Sequence, residues 1–128
     1  MISCRFLLAG ALLAGASPLR ADNWPAWRGP RNDGTSTESA FPLKWSATQN
    51  IAWKTEIPGA GHSSPIVWND RVFITTCVEQ GQIGERRLIC LDRASGRILW
   101  QKLVLTASLE RKHKLNSFAS STPATDGR

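Results

Sequence analysis

The chain has 128 residues, 41% of them apolar and 20% charged, with six Trp and no Tyr. This is the balance of a globular protein of one domain at most, with a core expected to be anchored on tryptophan. The net charge is +6, but no nucleic-acid motif accompanies it, and the one dense basic run, Arg111-Lys112-His113-Lys114 behind Glu110, reads as a solvated loop; nucleic acid is set aside as a partner.

The first 21 residues have the three-part layout of a secretory signal peptide. A short basic start, Met1 to Arg5, precedes an apolar run of eleven residues from Phe6 to Ala16, and Ser17-Pro18-Leu19-Arg20-Ala21 follows with small residues and a helix breaker. Cleavage is expected after Ala21, with Ala16 as the alternative. The run is shorter than the roughly 20 residues needed to span a bilayer. Removing Arg5 and Arg20 leaves +4 on the mature chain, which has no transmembrane segment. Cys4 precedes the apolar run, whereas a lipoprotein signal has its Cys directly after it, so a soluble periplasmic or secreted protein is expected. Cys77 and Cys90 remain, and an oxidising compartment leaves two outcomes open, a disulfide between them or two buried free thiols.

Residues 22–49 read as an ordered N-terminal segment. Trp24-Pro25-Ala26-Trp27-Arg28-Gly29-Pro30 cannot be a helix interior, because proline removes donors and fixes φ. The three Trp of the segment are expected to pack onto the domain. Over Asn50–Ile57, Ile51, Trp53, Thr55 and Ile57 alternate with polar or small residues, which predicts a half-buried strand ended by Pro58-Gly59. Ser64–Trp68 and Arg71–Val78 predict a hairpin about the turn Asn69-Asp70. Glu79–Glu85 reads as a polar loop. Arg87–Leu91 predicts a strand covered on both faces, and Arg97–Leu103 another with room to reach Leu105. Between them Asp92-Arg93-Ala94-Ser95-Gly96 is a turn, with Asp92 bonding backbone ahead of it and Gly96 free to take positive φ. Residues 107–116 read as a loop.

One internal echo organises the rest. Ser63-Ser64-Pro65-Ile66-Val67-Trp68-Asn69-Asp70-Arg71 recurs loosely as Ser121-Thr122-Pro123-Ala124-Thr125-Asp126-Gly127-Arg128, with the two prolines 58 residues apart. Self-similarity in an all-β pattern points to a propeller or solenoid. Between the copies, Leu91-Asp92-Arg93-Ala94-Ser95-Gly96-Arg97-Ile98-Leu99-Trp100 resembles the signature of pyrroloquinoline-quinone (PQQ) type propeller repeats. That signature has Leu-Asp, a short turn ending in Gly, a basic residue, and a Trp four positions after the Gly. Ser95 stands where the family has Thr. Trp24–Pro30, Asn50–Lys54 and Gly61-His62-Ser63-Ser64-Pro65 are also similar to the start of exported bacterial proteins of this class, so the likeness covers residues 23 to 128.

The resemblance implies an all-β fold, an antiparallel β-propeller of the PQQ or quinoprotein-like type beginning within residues 50–128. There is room for about one blade and the edges of its neighbours, so an incomplete propeller is expected, the N-terminal fragment of a longer product. Asp92 and Gly96 would close a blade hairpin, and Trp100 would dock between blades. The function it implies is that of a non-catalytic binding or assembly scaffold in the envelope, its partners another envelope protein and the remaining blades. The alternative is a PQQ-dependent dehydrogenase of alcohols or sugars whose catalytic blades lie elsewhere. Whether the chain is an enzyme stays open, and its residues lean against it. There is no adjacent cysteine pair, no carboxylate cluster at metal-ligand spacing and no Gly-x-Ser-x-Gly elbow. No cofactor is therefore expected, PQQ entering only if further blades supply its site. His62 and His113 each lie in a loop before a repeated Ser-Ser/Thr-Pro strand, so both could face one end of a central channel as ligands, against a plainer role in loop hydrogen bonding.

Overall fold

A computed structural model describes residues 22–39 and 41–128; the signal-peptide reading of residues 1–21 lies outside them. Among the described residues the protein is all-β, without helix, and is built on one open four-stranded antiparallel sheet in the order β1 (Ile66–Trp68), β2 (Arg71–Gln80), β3 (Ile83–Asp92) and β4 (Ile98–Ser108). No helix among these residues is long and apolar enough to cross a membrane.

The predicted hairpin holds. Trp68 opposes Arg71 across Asn69-Asp70, and Asn69 takes φ +50°, a left-handed value that Asn tolerates. The second hairpin is longer than the sequence predicts. Glu79–Glu85 is not a loop, because Gln80 pairs with Ile83 and Glu79 with Gly84, leaving only Gly81-Gln82 as the turn. Polar residues pair here because the tip is exposed and the ladder is backbone chemistry; Gly81, at φ +61°, supplies the turn.

Cross-strand pairing sorts the side chains onto two faces. Ile66, Phe73 and Cys90 form a row on one face, followed by Trp100, while Val72, Leu91 and Ile98 share the other. Two register shifts between β3 and β4 leave Leu99 and Val104 as extra residues. The first puts Ile98 and Trp100 on opposite faces, although plain alternation would place them together. The core is centred on Ile66, Thr76, Cys77, Ile89, Cys90 and Leu91, all at most 3% exposed. It is not anchored on tryptophan: Trp27, Trp45 and Trp100 are 65%, 69% and 42% exposed.

Each face is covered by chain outside the sheet. The segment predicted as a strand over 50–57 is extended, and Trp53, Thr55 and Ile57 keep their half-buried alternation, but no ladder forms. Its side chains bond to the β3–β4 turn instead. Trp53 Nε1 donates to the Arg93 carbonyl at 2.9 Å, and Thr55 Oγ1 donates to the Gly96 carbonyl at 2.6 Å. Further along, the Thr76 hydroxyl donates to the Pro58 carbonyl at 2.7 Å, on the Val72 face. On the Ile66 face lies the C-terminal segment: Thr75 Oγ1 donates to the Ser121 carbonyl at 2.8 Å, and Arg86 Nε to the Phe118 carbonyl at 3.1 Å.

Gly96 is needed twice. Its φ is +72°, and a Cβ there would run into the Trp53 indole. Gly34 has a similar φ of +79° with nothing within 4 Å. Gly34→Ala should therefore cost about 1–2 kcal/mol, the left-handed penalty alone. Gly96→Ala should add an overpacking cost of about 1–3 kcal/mol. Urea unfolding of both variants checks this; equal losses would mean that the Trp53 contact is slack.

Candidate functional site

The repeated segments meet at one place, and the geometry begins with Ser63. From Ala60 to Trp68 the chain runs alongside β2. Ala60 and Cys77 exchange two backbone bonds of 2.9 Å, and β1 resumes the ladder at Ile66 opposite Phe73. Between these points the Ser63 hydroxyl replaces the backbone: it accepts from Thr75 N and donates to the Thr75 carbonyl, both at 3.1 Å. The amides of residues 62–64 are thereby released to the other side. His62 N and Ser63 N donate to the Ala119 carbonyl at 3.0 and 3.2 Å, and Ser64 N donates to Thr122 Oγ1 at 3.0 Å. Gly61 is squeezed between the two neighbours, since a Cβ would lie 2.9 Å from the Thr75 carbonyl and 3.1 Å from that of Ala119.

The partners are repeat-equivalent. Ser64 and Thr122, which precede Pro65 and Pro123, stand 58 positions apart in the sequence and touch in space. The N-terminal segment ties both copies at matching places. Trp24 exchanges backbone bonds of 2.7 and 2.9 Å with Val67, and the Pro25 carbonyl accepts from Thr125 N at 3.0 Å.

Beside this junction opens a groove of about 480 Å³ lined by Trp27, His62, Ser64, Ser120, Ser121 and Thr122. Trp27 stands on a loop of tight turns. Gly29 N donates to the Ala26 carbonyl at 2.9 Å and Gly34 N to that of Arg28 at 3.0 Å. Asp33 stiffens the loop by accepting from Thr35 N at 2.8 Å and Thr35 Oγ1 at 2.9 Å, bonds that hold its carboxyl below the ordinary aspartate value. Of the three Trp expected to pack, only Trp24 does so, lying under Gly29, where a Cβ would be 2.8 Å from the indole. Trp27 faces solvent.

The two histidines are not brought together. His62 lines the groove, whereas His113 sits in the exposed loop that follows β4, where its Nδ1 accepts from Leu115 N at 3.2 Å. The basic run around it is a loop, as expected, but Lys112 is more than a solvated charge. Its ammonium lies 4.8 Å from the Phe118 ring centroid, and the Arg86 guanidinium lies 5.7 Å from the same ring. Arg86, with Phe118 and Val104, borders a smaller cleft of about 210 Å³, and its Nη1 is buried without a hydrogen-bond partner among the described residues.

Asp92 closes the β3–β4 turn as the sequence predicts. Its Oδ1 accepts from Ser95 Oγ at 2.7 Å and Ser95 N at 2.9 Å, and its carbonyl accepts from Gly96 N at 2.8 Å. The Ser95 hydroxyl bond, then the Ser95 amide bond, lowers its pKa. Trp100 leans on Phe73 of its own sheet, centroids 6.0 Å apart and planes tilted by 52°. Cys77 and Cys90 are both buried and free. The disulfide that the sequence left open does not form, because Cys77 opposes Arg86 and Cys90 opposes Phe73, four rows apart in the ladder. That is about 13 Å of strand, against a Cα separation below about 7 Å that a disulfide needs. Burial pushes both thiol pKa values up.

The sequence singled out His62 and the repeated Ser-Ser/Thr-Pro strands but missed Trp27 as a groove residue and Ser63 as the stand-in for backbone. Their positions in the motifs Trp-Pro-Ala-Trp and His-Ser-Ser-Pro were the available signals. Among the described residues no group of His, Cys, Asp and Glu is placed to hold a metal ion. In comparisons with known proteins the chain matches no family model, no curated protein and no solved structure.

Two predictions follow from this geometry. Ser63→Ala leaves the amide and carbonyl of Thr75 without their partner and should cost about 1–3 kcal/mol. Ser64→Ala, whose junction bond is made by its backbone, should cost under about 0.5 kcal/mol; chemical denaturation distinguishes them. The depressed pKa of Asp92 means that its contribution to stability is present above the unfolded value of 3.8 and is lost as pH falls below that through the folded value. A carbon-detected NMR titration should show the Asp92 carboxyl midpoint below 3.8, and Ser95→Ala should move it up towards that value.

Proposed function

We propose that the protein is an exported, non-catalytic binding or assembly scaffold built from β-propeller repeats of the PQQ type. The observation that carries this reading is the junction of the two repeat copies. Their equivalent residues, Ser64 and Thr122, bond directly, and one strand-like segment, Trp24-Pro25, binds both copies at the matching positions Val67 and Thr125. Successive units that meet through equivalent edges are what a radial or stacked repeat requires, because each sheet buries its face only against the next. The four-stranded antiparallel sheet is the size of one propeller blade. The Asp92–Gly96 turn supports the same reading, since its residues are spent on structure. Asp92 is committed to Ser95 and Gly96, and Gly96 to the contact with Trp53 and Thr55.

The scaffold reading places the working surface at the junction groove. His62, Ser64, Ser120, Ser121, Thr122 and Trp27 line it, a set of neutral polar groups around one indole that suits binding. The test uses protein purified from the cells that make it. Recovery in the envelope or medium, a ring-shaped particle by electron microscopy, and no dye reduction with added PQQ, Ca²⁺ and a panel of alcohols and sugars are the expected results. Cytosolic recovery overturns export, a particle without radial repeats overturns the propeller, and dye reduction in proportion to protein overturns the non-catalytic scaffold.

A further inference from the structure

The groove at the repeat junction has one apolar wall and one wall of neutral hydrogen-bonding groups, and this combination selects a class of ligand. Trp27 is 65% exposed, a large indole surface left in water. The Arg28 guanidinium lies 5.4 Å from the ring centroid, so one ring face is engaged and the indole is held as a flat platform. The loop beneath it is stiffened by the Asp33–Thr35 bonds. An indole stacked on Arg28 and carried on a hydrogen-bonded loop loses less conformational freedom on binding than an unsupported one.

Facing it are side chains whose bonding capacity is unspent. The His62 imidazole and the hydroxyls of Ser64 and Ser121 make no hydrogen bond within the described residues, while their backbones are fixed. Ser64 N is bound to Thr122, and the Ser121 carbonyl to Thr75. Thr122 Oγ1 accepts from Ser64 N and keeps its proton to donate. Ser120 Oγ is engaged with Ser117. No Lys, Arg, Asp or Glu lines the groove. A cationic ligand would enter without a counter-ion, an anionic one would find only Arg28, already stacked on Trp27, and a wholly apolar one would bury several hydroxyls unpaired, at about 1–3 kcal/mol for each.

We propose that this groove binds a neutral saccharide. A pyranose ring presents a flat C–H face to an indole and hydroxyl donors and acceptors around its edge, which is the division found between the two walls. The volume of about 480 Å³ lies in the usual range of small-molecule sites, roughly 300–1,000 Å³, and suits one or two sugar rings. The inference deepens the scaffold reading by naming what its junction surface holds. It rests on that reading for the absence of turnover but not on the number of repeats.

The test is an array of neutral and acidic glycans probed with the full chain and with its Trp27→Ala and Trp45→Ala variants. Trp45 is a control for a bare exposed indole, being 69% exposed and away from the groove. Both variants should keep the far-ultraviolet circular dichroism of the parent. Binding of neutral glycans that falls at least ten-fold in Trp27→Ala and holds in Trp45→Ala supports the proposal; His62→Ala should weaken the same glycans by a smaller factor. Binding confined to acidic glycans, binding indifferent to Trp27→Ala, or no glycan bound overturns it. A proline-rich peptide serves as a second probe. If it binds in a Trp27-dependent way while no glycan does, the saccharide assignment falls and the binding scaffold stands. Oxidation of a bound sugar, read as dye reduction, instead removes the non-catalytic reading and leaves the ligand class intact.

Discussion

The amides of His62, Ser63 and Ser64 cannot serve two neighbours at once, and the architecture follows from how that conflict is resolved. The segment from Ala60 to Trp68, which ends in β1, lies between β2 on one side and the C-terminal segment on the other. Each backbone group has one donor and one acceptor, and a group left buried and unpaired is costly. The Ser63 hydroxyl, which can donate and accept together, satisfies both backbone groups of Thr75 and frees the local amides for Ala119 and Thr122. Alanine could not do this, and a bulky residue at Gly61 could not fit between the two carbonyls. The motif Gly-His-Ser-Ser-Pro is thus a solution to strand sharing, with Pro65 placed where no further amide is required.

The covering segments follow from the same economy of hydrogen bonds. Residues 50–57 have the alternation of a strand, and their inward side chains are half-buried as that alternation predicts. What they lack is a ladder partner, because they lie against the β3–β4 turn and not along a strand edge. Trp53 and Thr55 therefore use side-chain donors on the carbonyls of Arg93 and Gly96. The β3–β4 turn is held from inside by Asp92 and from outside by these two residues, and Gly96 is the point where both demands meet.

How much of this was legible in the sequence depends on the range of the interaction. The hairpin at Asn69-Asp70, the positive φ of Gly96 and the capping by Asp92 are local and were readable from residue type. The tip at Gly81-Gln82 was not, because exposed polar residues carry no apolar alternation even when their backbones pair. The opposite facing of Ile98 and Trp100 depends on a register shift that no residue type announces. Periodicity located Trp53 inward but could not say whether a ladder or a side-chain clasp held it. In the site, His62 was readable from its motif, but its neighbourhood with Trp27 requires two loops distant in sequence to converge.

That convergence gives the groove its character. The second copy contributes Ser121 and Thr122, with Ser120 just before it, and the first copy contributes Ser64. These are small hydroxyl residues because the copies must approach closely and bond at equivalent positions. A junction between like units is consequently rich in neutral hydroxyls before any ligand is considered. Trp27 is the one lining residue that the junction itself does not require, since Trp24 and Pro25 already tie the N-terminal segment to both copies. An indole that is 65% exposed here, beside hydroxyls left unbonded among the described residues, is the combination that a ligand with one apolar face would use.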